Sequence, residues 1–283
     1  MRNTRNTPLH FIYNDYHLQT LINNWIAMIR QSPVLERLDQ GGFVFGLLNS
    51  VPSPLLCEMI AHAGYHFVIL DMEHLLRSGD ELMHCLRACE SAGISPWLRV
   101  PEVDAKLIGR ALDAGVEAIV LPRVENAEEV ARAVSAAFFP PRGTRGITGG
   151  RVTGFGRLPL ASYIERANQA RPIVPMIEST AGVQALPEIL QLSGIGMVLE
   201  GALDLALDLQ LGPDPLHPRV WQSLQDMAQA CIAAGVPFCA NPRTPEQHRH
   251  WQALGIRSYL AGEDRGLLHG ALKARLASLQ PSP

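Results

Sequence analysis

Short apolar runs rich in Val, Ile and Phe recur along the chain, and each is followed by a turn and an amphipathic stretch of about a dozen residues. Strands that alternate with helices in this way pair in parallel through crossover connections. Eight such runs predict an α/β fold, a closed (β/α)8 barrel of the TIM type; a doubly wound open sheet is the alternative. The predicted strands are Phe43–Leu48, Phe67–Asp71, Pro96–Val100, Ala118–Pro122, Ile173–Ile177, Met197–Leu199, Pro237–Ala240 and Ser258–Ala261.

The first part of the chain departs from this pattern. Asn and Thr residues at the start precede an aromatic patch at His10–Tyr16 and a helix-like run at Leu18–Leu38. We therefore predict an N-terminal extension of residues 1–38 and a barrel catalytic domain of residues 39–283. Because a catalytic barrel does not need such an extension, we expect it to serve oligomer packing.

The longest connection lies between the fourth and fifth predicted strands. It holds a predicted helix at Ala127–Phe139, a glycine-rich loop at Gly143–Gly156 and a second helix near Leu160–Ala170. Long loops in compact domains are often active-site lids. The loop is therefore a candidate lid.

Polar residues cluster where the predicted strands end. In a (β/α)8 barrel the side chains of different strands converge only at the carboxyl ends, and there the chemistry takes place. Any one of these residues could be an ordinary loop residue, but their joint placement favours a site. The residues are Asn49, Asp71, Glu73, His74, Arg99, Arg123, Glu178, Glu200, Asp204, Asn241 and residues 263–265.

Two of these carboxylates suggest a metal site. Glu178 and Asp204 follow successive predicted strands, which lie about 4.8 Å apart in a sheet. Two hard oxygen ligands without Cys or clustered His favour Mg²⁺ or Mn²⁺, with water and substrate completing an octahedron. The alternative is a structural pair of carboxylates bound to strand-end arginines.

A histidine and an arginine are the candidate catalytic partners. His74 is the one histidine at a predicted strand exit, and Asp71 three residues earlier could orient its ring as a base near neutral pH. Arg99 could bind a carboxylate in bidentate fashion, or could form an ion pair with Asp71 or Glu73.

Charge and cysteine usage exclude several classes of protein. Twenty-four Lys+Arg against 27 Asp+Glu give a net charge of −3, which lacks the basic excess of nucleic-acid binding proteins. No uninterrupted apolar run is long enough for a membrane span. The five cysteines lie in apolar segments without a preceding signal peptide, so we expect reduced core thiols and a cytoplasmic location.

The two lysines narrow the chemistry. A Schiff-base aldolase or a pyridoxal phosphate (PLP) enzyme needs a lysine that faces the site, but Lys106 and Lys273 fall in predicted helices. The glycines of the loop at Gly143–Gly156 follow Pro140-Pro141 rather than a strand, so an NAD-binding Rossmann site or a P-loop is not expected. A carbanion made here would need a metal ion to stabilise it.

These residues and their surroundings resemble the HpcH/HpaI aldolase family, the metal-dependent class II pyruvate aldolases. The resemblance runs from about Gly41 to Leu276. It rests on the separated motifs Asp71-Met72-Glu73-His74, Leu98-Arg99-Val100-Pro101, Pro140-Pro141-Arg142-Gly143-Thr144-Arg145-Gly146, Met176-Ile177-Glu178-Ser179 and Glu200-Gly201-Ala202-Leu203-Asp204-Leu205.

The resemblance implies a role for each matching residue. Glu178 and Asp204 would hold the divalent metal, and Arg99 would steady the substrate carboxylate and enolate oxygen. His74, oriented by Asp71, would move protons, and the amides near Leu203 and Asp204 would contact the 2-oxo acid carboxylate. The resemblance also implies a (β/α)8 barrel in a homo-oligomer, commonly a hexamer with exchanged terminal helices.

Some motifs depart from the sugar-acid aldolases of the family, which usually carry a glutamine two residues before the metal glutamate and a Gly-Pro in the last motif. This chain has Met176 and Gly201-Ala202, and its loop at Gly149–Gly156 is not typical of those aldolases. Together with Asn49-Ser50-Val51-Pro52, these features are most similar to the citrate synthases of staphyloferrin B-type siderophore pathways.

Three functions therefore compete. A citrate synthase would condense oxaloacetate with acetyl-CoA, with His74 removing a methyl proton from the acetyl group. A class II pyruvate aldolase would instead use pyruvate as the nucleophile toward an aldehyde. A non-catalytic barrel is the third hypothesis. Arg123 and Arg151, with Arg145 as a further candidate, could bind extra carboxylates or CoA phosphates; a solvated loop arginine is the alternative for Arg151.

Overall fold

A computed structural model of the chain describes residues 32–280. Eight parallel strands close into a barrel in the order β1 to β8, which confirms the (β/α)8 barrel and excludes the open sheet. All eight predicted strands are present. Their bounds are β1 Val44–Asn49, β2 Phe67–Asp71, β3 Ser95–Arg99, β4 Ala118–Leu121, β5 Ile173–Ile177, β6 Val198–Glu200, β7 Phe238–Ala240 and β8 Ser258–Glu263.

Eleven α-helices accompany the strands within residues 32–280. Most begin at a Ser, Thr, Asp or Asn whose side chain accepts a hydrogen bond from a backbone amide of the first turn. The helices are α1 Pro33–Asp39, α2 Pro54–His62, α3 Gly79–Ala92, α4 Ala105–Ala114, α5 Ala127–Ala137, α6 Leu160–Gln169, α7 Thr180–Ile189, α8 Ala202–Asp208, α9 Pro218–Ala234, α10 Pro245–Ala253 and α11 Asp264–Ala277.

Apolar side chains pack on both faces of the sheet, as parallel strands require. Inside the barrel, Phe67 stacks on Trp97 with ring centroids 4.1 Å apart. Val34 and Leu35 of α1 belong to this inner cluster, so α1 packs against the barrel interior. The larger outer cluster lies between the strands and the surrounding helices.

The predicted extension falls mostly outside the described residues. Of residues 1–38, the structure describes 32–38, and these include most of α1. Because Val34 and Leu35 are buried in the barrel, the packed barrel already includes residues before position 39. The proposed role of the extension in oligomer packing stays a prediction.

The glycine-rich loop at Gly143–Gly156 lies at the end of the barrel opposite to the strand exits. It connects α5 to α6, and therefore belongs to the connection that leads into the start of β5. Arg151 forms an ion pair with Glu90, and Glu90 lies in the last turns of α3, just before β3. The prediction of an active-site lid was wrong, because a loop that follows a helix returns to the amino-terminal ends of the strands.

The last helix, α11, stands apart from the others. Of its residues only Asp264 is buried, and an exposed leucine face runs along it. Between residues 32 and 280, no helix is long and apolar enough to cross a membrane. The five cysteines are buried free thiols, as predicted. The exposed leucines of α11 are Leu267, Leu268, Leu272 and Leu276, and Leu279 is exposed just beyond its end.

Candidate active site

The strand exits of β5 and β6 hold the predicted metal-binding carboxylates. Glu178 directly follows β5, and Asp204 lies in the first turn of α8, which begins two residues after β6 ends. Gly201 is the one residue between β6 and α8, and its amide donates a hydrogen bond of 3.0 Å to the Ile177 carbonyl oxygen. A Cβ atom on Gly201 would overlap the Glu178 side chain. Glycine at this position therefore lets the carboxylate lie against the β6–α8 turn.

The Glu178 carboxylate is buried and has no ion-pair partner among residues 32–280. Only 4% of the residue is exposed, and its Oε1 atom accepts a hydrogen bond of 2.6 Å from the Arg123 backbone amide. Burial raises the pKa of Glu178 to about 7, and the nearby charges of Asp204 and Glu73 add to the rise. A divalent cation beside this carboxylate would offset both effects.

The donor set fits a hard divalent cation. Glu178 and Asp204 supply carboxylate oxygens, the ligands that Mg²⁺ and Mn²⁺ prefer. Within residues 32–280 no group of three or more His, Cys, Asp and Glu side chains has the arrangement of a metal site. The remaining ligands would have to be water and substrate oxygens. One buried carboxylate oxygen nearby, Asp71 Oδ2, lacks a hydrogen-bond partner, so it could accept a hydrogen bond from such a water.

Arg99 is held in place by two carboxylates. Its Nε atom donates to Asp71 Oδ1 at 2.9 Å, and its Nη1 atom lies 3.0 Å from Glu73 Oε2. Burial raises the pKa of Asp71, but the hydrogen bond and charge of Arg99 outweigh it, so the pKa of Asp71 lies below its usual value. The predicted ion pairs of Arg99 are both present. They leave the Nη2 atom without a partner among residues 32–280, available to a substrate oxygen.

His74 lies beside Glu73 rather than Asp71. Its Nε2 atom is 3.7 Å from Glu73 Oε2, and 62% of its side chain is exposed. Asp71 Oδ1 instead accepts from the Glu73 amide at 3.0 Å and from Arg99. The carboxylate that neighbours the ring is therefore that of Glu73, because the turn after β2 directs Asp71 toward the backbone and β3.

Glu200 belongs to a separate structural ion pair. Its Oε1 atom lies 3.0 Å from Arg243 Nη1 and accepts from the Asn241 amide at 2.8 Å. Arg243 was not among the predicted residues, because it lies two positions beyond Asn241, the first polar residue after β7. This pair shows what a strand-end carboxylate bound to arginine looks like in this barrel, and Glu178 and Asp204 have no such partner among residues 32–280.

A second buried network ties together the exits of β1, β2 and β8. Asp264 accepts from Asn49 Nδ2 at 2.6 Å and from the Ser50 amide at 2.9 Å. Arg77 donates through Nη2 to the Asn49 carbonyl oxygen at 2.6 Å and through Nε to the Asp71 carbonyl oxygen at 2.8 Å. Sequence analysis missed Arg77, which follows β2 by six residues and gives no local signal of burial. The network fixes the strand ends that carry Asp71 and the first turn of α11.

The other predicted ligand-binding residues divide between the two ends of the barrel. Leu203 lies in the first turn of α8, next to Asp204, where amide groups have no partner within the helix. Arg151 lies at the opposite end, beside Glu90, and Arg145 contacts Asp113 and Tyr163 there. Arg151 and Arg145 are therefore outside the site that this chain forms at its strand exits.

Comparison with known proteins agrees with this arrangement. A family model described as HpcH/HpaI aldolase/citrate lyase matches residues 45–259. The chain is 33% identical to the hydroxypyruvate/pyruvate aldolase of Paraburkholderia phytofirmans, over 77% of this chain and 87% of the relative. It is 30% identical to a 2-keto-3-deoxy-L-rhamnonate aldolase of Escherichia coli, over 87% and 92%.

Solved structures include a similar barrel that is named as a different enzyme. The crystal structure of the citrate synthase SbnG superposes with a TM-score of 0.81 at 35% identity, over 88% of this chain and 97% of that one. The HpcH/HpaI aldolase from Desulfitobacterium hafniense has the same TM-score at 28% identity, over 88% and 96%. The fold is thus shared by relatives named as aldolases and as a citrate synthase.

Proposed function

The chain belongs to the HpcH/HpaI aldolase/citrate lyase family, whose enzymes make or break carbon–carbon bonds, and we propose that it is a citrate synthase of the siderophore type. In this proposal it condenses oxaloacetate with acetyl-CoA and water to give citrate and CoA. The observation that supports metal dependence is the buried carboxylate of Glu178. It forms no ion pair within residues 32–280, and it lies against Gly201 in the turn that leads to Asp204.

In the proposal, Glu178 and Asp204 hold Mg²⁺ or Mn²⁺. The bound cation would supply Lewis acidity toward the keto and carboxylate oxygens of a 2-oxo acid. Arg99 presents its free Nη2 atom to a substrate oxygen, and its position is set by Asp71 and Glu73 on the other edge of the guanidinium. The amides of Leu203 and Asp204, at the start of α8, are the proposed donors to the 2-oxo acid carboxylate.

His74 is the proposed base. Its exposed ring can reach the second substrate, because it lies on the solvent side of Glu73. In the synthase it would take a proton from the methyl group of acetyl-CoA, which then attacks the keto carbon of oxaloacetate. The carboxylate of Glu73 beside Nε2 would stabilise the protonated ring. The proposal assigns no role to PLP or NAD, because the two lysines, Lys106 and Lys273, lie in α4 and α11 and the glycine-rich loop lies at the opposite end of the barrel.

A pyruvate aldolase is the second candidate. The relatives named as aldolases favour it, at 33% and 30% identity. The 35% identity to a citrate synthase over almost its whole length favours the synthase, as does Met176, which lies 4.0 Å from Arg99 Nη1 where aldolases usually carry glutamine. A non-catalytic barrel is the remote alternative, and the retained set of Asp71, His74, Arg99, Glu178 and Asp204 argues against it.

We also propose that the protein is a homo-oligomer, a hexamer by resemblance to its family. Four leucines are exposed on α11 and a fifth, Leu279, just beyond its end, and only the first residue of that helix is buried. An apolar face of this extent normally packs against another surface. Mass measurement in solution, with and without Leu272→Glu, would test the assignment; a monomeric wild-type protein would contradict it.

The test of the proposed function compares the two reactions directly. Protein in Mg²⁺ is incubated with oxaloacetate and acetyl-CoA while free thiol is followed, and separately with pyruvate and glycolaldehyde while pyruvate is followed. Thiol release that needs oxaloacetate and stops on addition of EDTA supports the synthase. Pyruvate consumption without thiol release contradicts it and supports the aldolase.

A further inference from the structure

We propose that Arg123 forms an anion subsite at the rim of the active site, which binds a carboxylate or phosphate of a substrate. This inference rests on the proposed function, since it assigns a residue to the recognition of the substrates. Arg123 lies two residues after the end of β4, on the same end of the barrel as Glu178. Three features support this role: the backbone conformation of Arg123, its unpaired guanidinium and its neighbours.

The backbone of Arg123 is held in an unusual conformation. Its φ is 47°, in the left-handed region that residues with a side chain adopt at a cost. The conformation points the Arg123 amide at Glu178 Oε1, 2.6 Å away, and the Val124 amide donates to the Met176 carbonyl oxygen at 3.4 Å. A non-glycine residue held in this way at a functional site suggests that its side chain is needed there.

The guanidinium of Arg123 lacks a partner, which sets it apart from the other arginines at this end. Within residues 32–280, its side chain is exposed and makes no hydrogen bond or ion pair. Arg99 and Arg77 are held by carboxylates or by backbone and side-chain oxygens, and Arg243 and Arg265 pair with glutamates. A substrate anion would therefore meet Arg123 without displacing a partner within the chain.

The charge of Arg123 acts on a neighbouring carboxylate, that of Asp208. Asp208, at the end of α8, accepts a hydrogen bond of 2.7 Å from the Thr180 amide at the start of α7. These hydrogen bonds from Thr180 lower the pKa of Asp208, and the charge of Arg123 contributes to a smaller degree. The guanidinium therefore lies near the end of α8, the helix whose first turn holds Asp204.

The group that Arg123 would bind is a carboxylate or phosphate in addition to the 2-oxo acid carboxylate, and pyruvate has no such second group. Oxaloacetate carries a second carboxylate, and acetyl-CoA carries phosphates; either group could bind the unpaired guanidinium of Arg123, the residue whose backbone amide holds Glu178. Pyruvate has its single carboxylate committed to the 2-oxo acid end of the site. Arg123 would thus separate a dicarboxylate or a CoA thioester from pyruvate.

The test uses binding, so that it does not depend on turnover. The variant Arg123→Asn removes the charge with a residue that tolerates a left-handed backbone. In calorimetric titrations with Mg²⁺, we expect it to weaken oxaloacetate binding or acetyl-CoA binding by about tenfold. Pyruvate binding should stay within twofold. Arg123→Lys should retain most of the affinity, and Arg110→Gln, an exposed arginine on α4, is the matched control.

The arms of the experiment identify the source of the anion. A loss confined to oxaloacetate assigns the carboxylate. A loss confined to acetyl-CoA, and absent with the N-acetylcysteamine thioester that has no phosphate, assigns the nucleotide. Unchanged affinity for both ligands, or an equal loss for pyruvate, overturns the anion subsite. Failure of the proposed function looks different: the wild-type protein binds these ligands but releases no thiol.

Discussion

The two ends of the barrel carry the same kinds of charged side chains but compensate them differently. At the amino-terminal end the arginines are matched with acids inside the chain, as in the pairs Arg145–Asp113, Arg151–Glu90 and Arg171–Asp39. The carboxyl end has such pairs as well, as in Arg99–Asp71 and Arg243–Glu200. Within residues 32–280, however, Glu178, Asp204 and Arg123 form no ion pair at that end. Charges that the chain neutralises itself hold structure together, whereas uncompensated charges mark the end where a metal and substrates would complete the arrangement.

The largest expected effect is on kcat/KM, and it distinguishes the unpaired carboxylate of Asp204 from an exposed carboxylate on the surface. Asp204→Asn should lower kcat/KM at least about a thousandfold, since it removes one of two protein ligands of the proposed metal. Asp226→Asn, an exposed carboxylate on α9, should leave kcat/KM unchanged. Steady-state kinetics in Mg²⁺ measure both. Activity of Asp204→Asn within tenfold of wild type would remove Asp204 from the site.

A compensated charge at the amino-terminal end should affect stability instead. Arg145 is buried, donates to Asp113 and to the Tyr163 hydroxyl, and lies over the Phe139 ring at 4.7 Å. Arg145→Met leaves these partners without a donor and should lower the free energy of unfolding by about 2–3 kcal/mol. Urea denaturation gives this value, and kinetics on the folded variant should show kcat unchanged. A fall in kcat without a loss of stability would contradict the division between the two ends.

The pH dependence of stability should reveal the uncompensated carboxylate of Glu178. Its pKa is about 7 in the folded protein, against 4.5 for an ordinary glutamate. Between these values the folded chain holds a proton that the unfolded chain has lost, so the free energy of unfolding of metal-free protein should fall as pH rises. From about pH 5.5 to pH 8 the expected loss is about 2 kcal/mol. Glu178→Gln should abolish this loss, and so should Mg²⁺. Urea denaturation in EDTA at both pH values measures this loss. If the free energy of unfolding changed equally with pH in the wild type and in Glu178→Gln, the raised pKa of Glu178 would be refuted.

The smallest effect concerns Arg151, which sequence analysis assigned to substrate binding. Its ion pair with Glu90 is partly exposed, so Arg151→Gln should change the free energy of unfolding by less than about 1 kcal/mol. Its kcat/KM should stay within twofold of wild type for each substrate. A selective rise in the KM for acetyl-CoA would instead show that the amino-terminal end takes part in recognition.

The fold was predictable because its signal is distributed. Eight strands recur with the same composition, and errors of one or two residues at their ends change nothing in the barrel. The residues that directly follow strands were equally accessible, because the strand end itself defines the position of Glu178 and, through the next turn, that of Asp204.

The parts that sequence analysis missed depend on the direction of side chains and of connections. Asp71 and Glu73 are two residues apart, and only the turn after β2 decides that Glu73 neighbours the His74 ring. The glycine-rich loop was assigned to the wrong end, although it follows the helix α5 and does not directly follow a strand. Arg77 shows no local pattern; its burial follows from its contact with Asn49 at the end of the neighbouring strand β1.

The most direct test of the central claim is a titration with Mn²⁺ followed by electron paramagnetic resonance. The account predicts one site per chain in the wild-type protein and in Glu90→Gln, which alters an acid at the amino-terminal end. In Glu178→Gln the affinity should fall by about a hundredfold or more. Wild-type affinity for Mn²⁺ in Glu178→Gln would contradict the assignment of the metal site to the carboxyl end of the barrel.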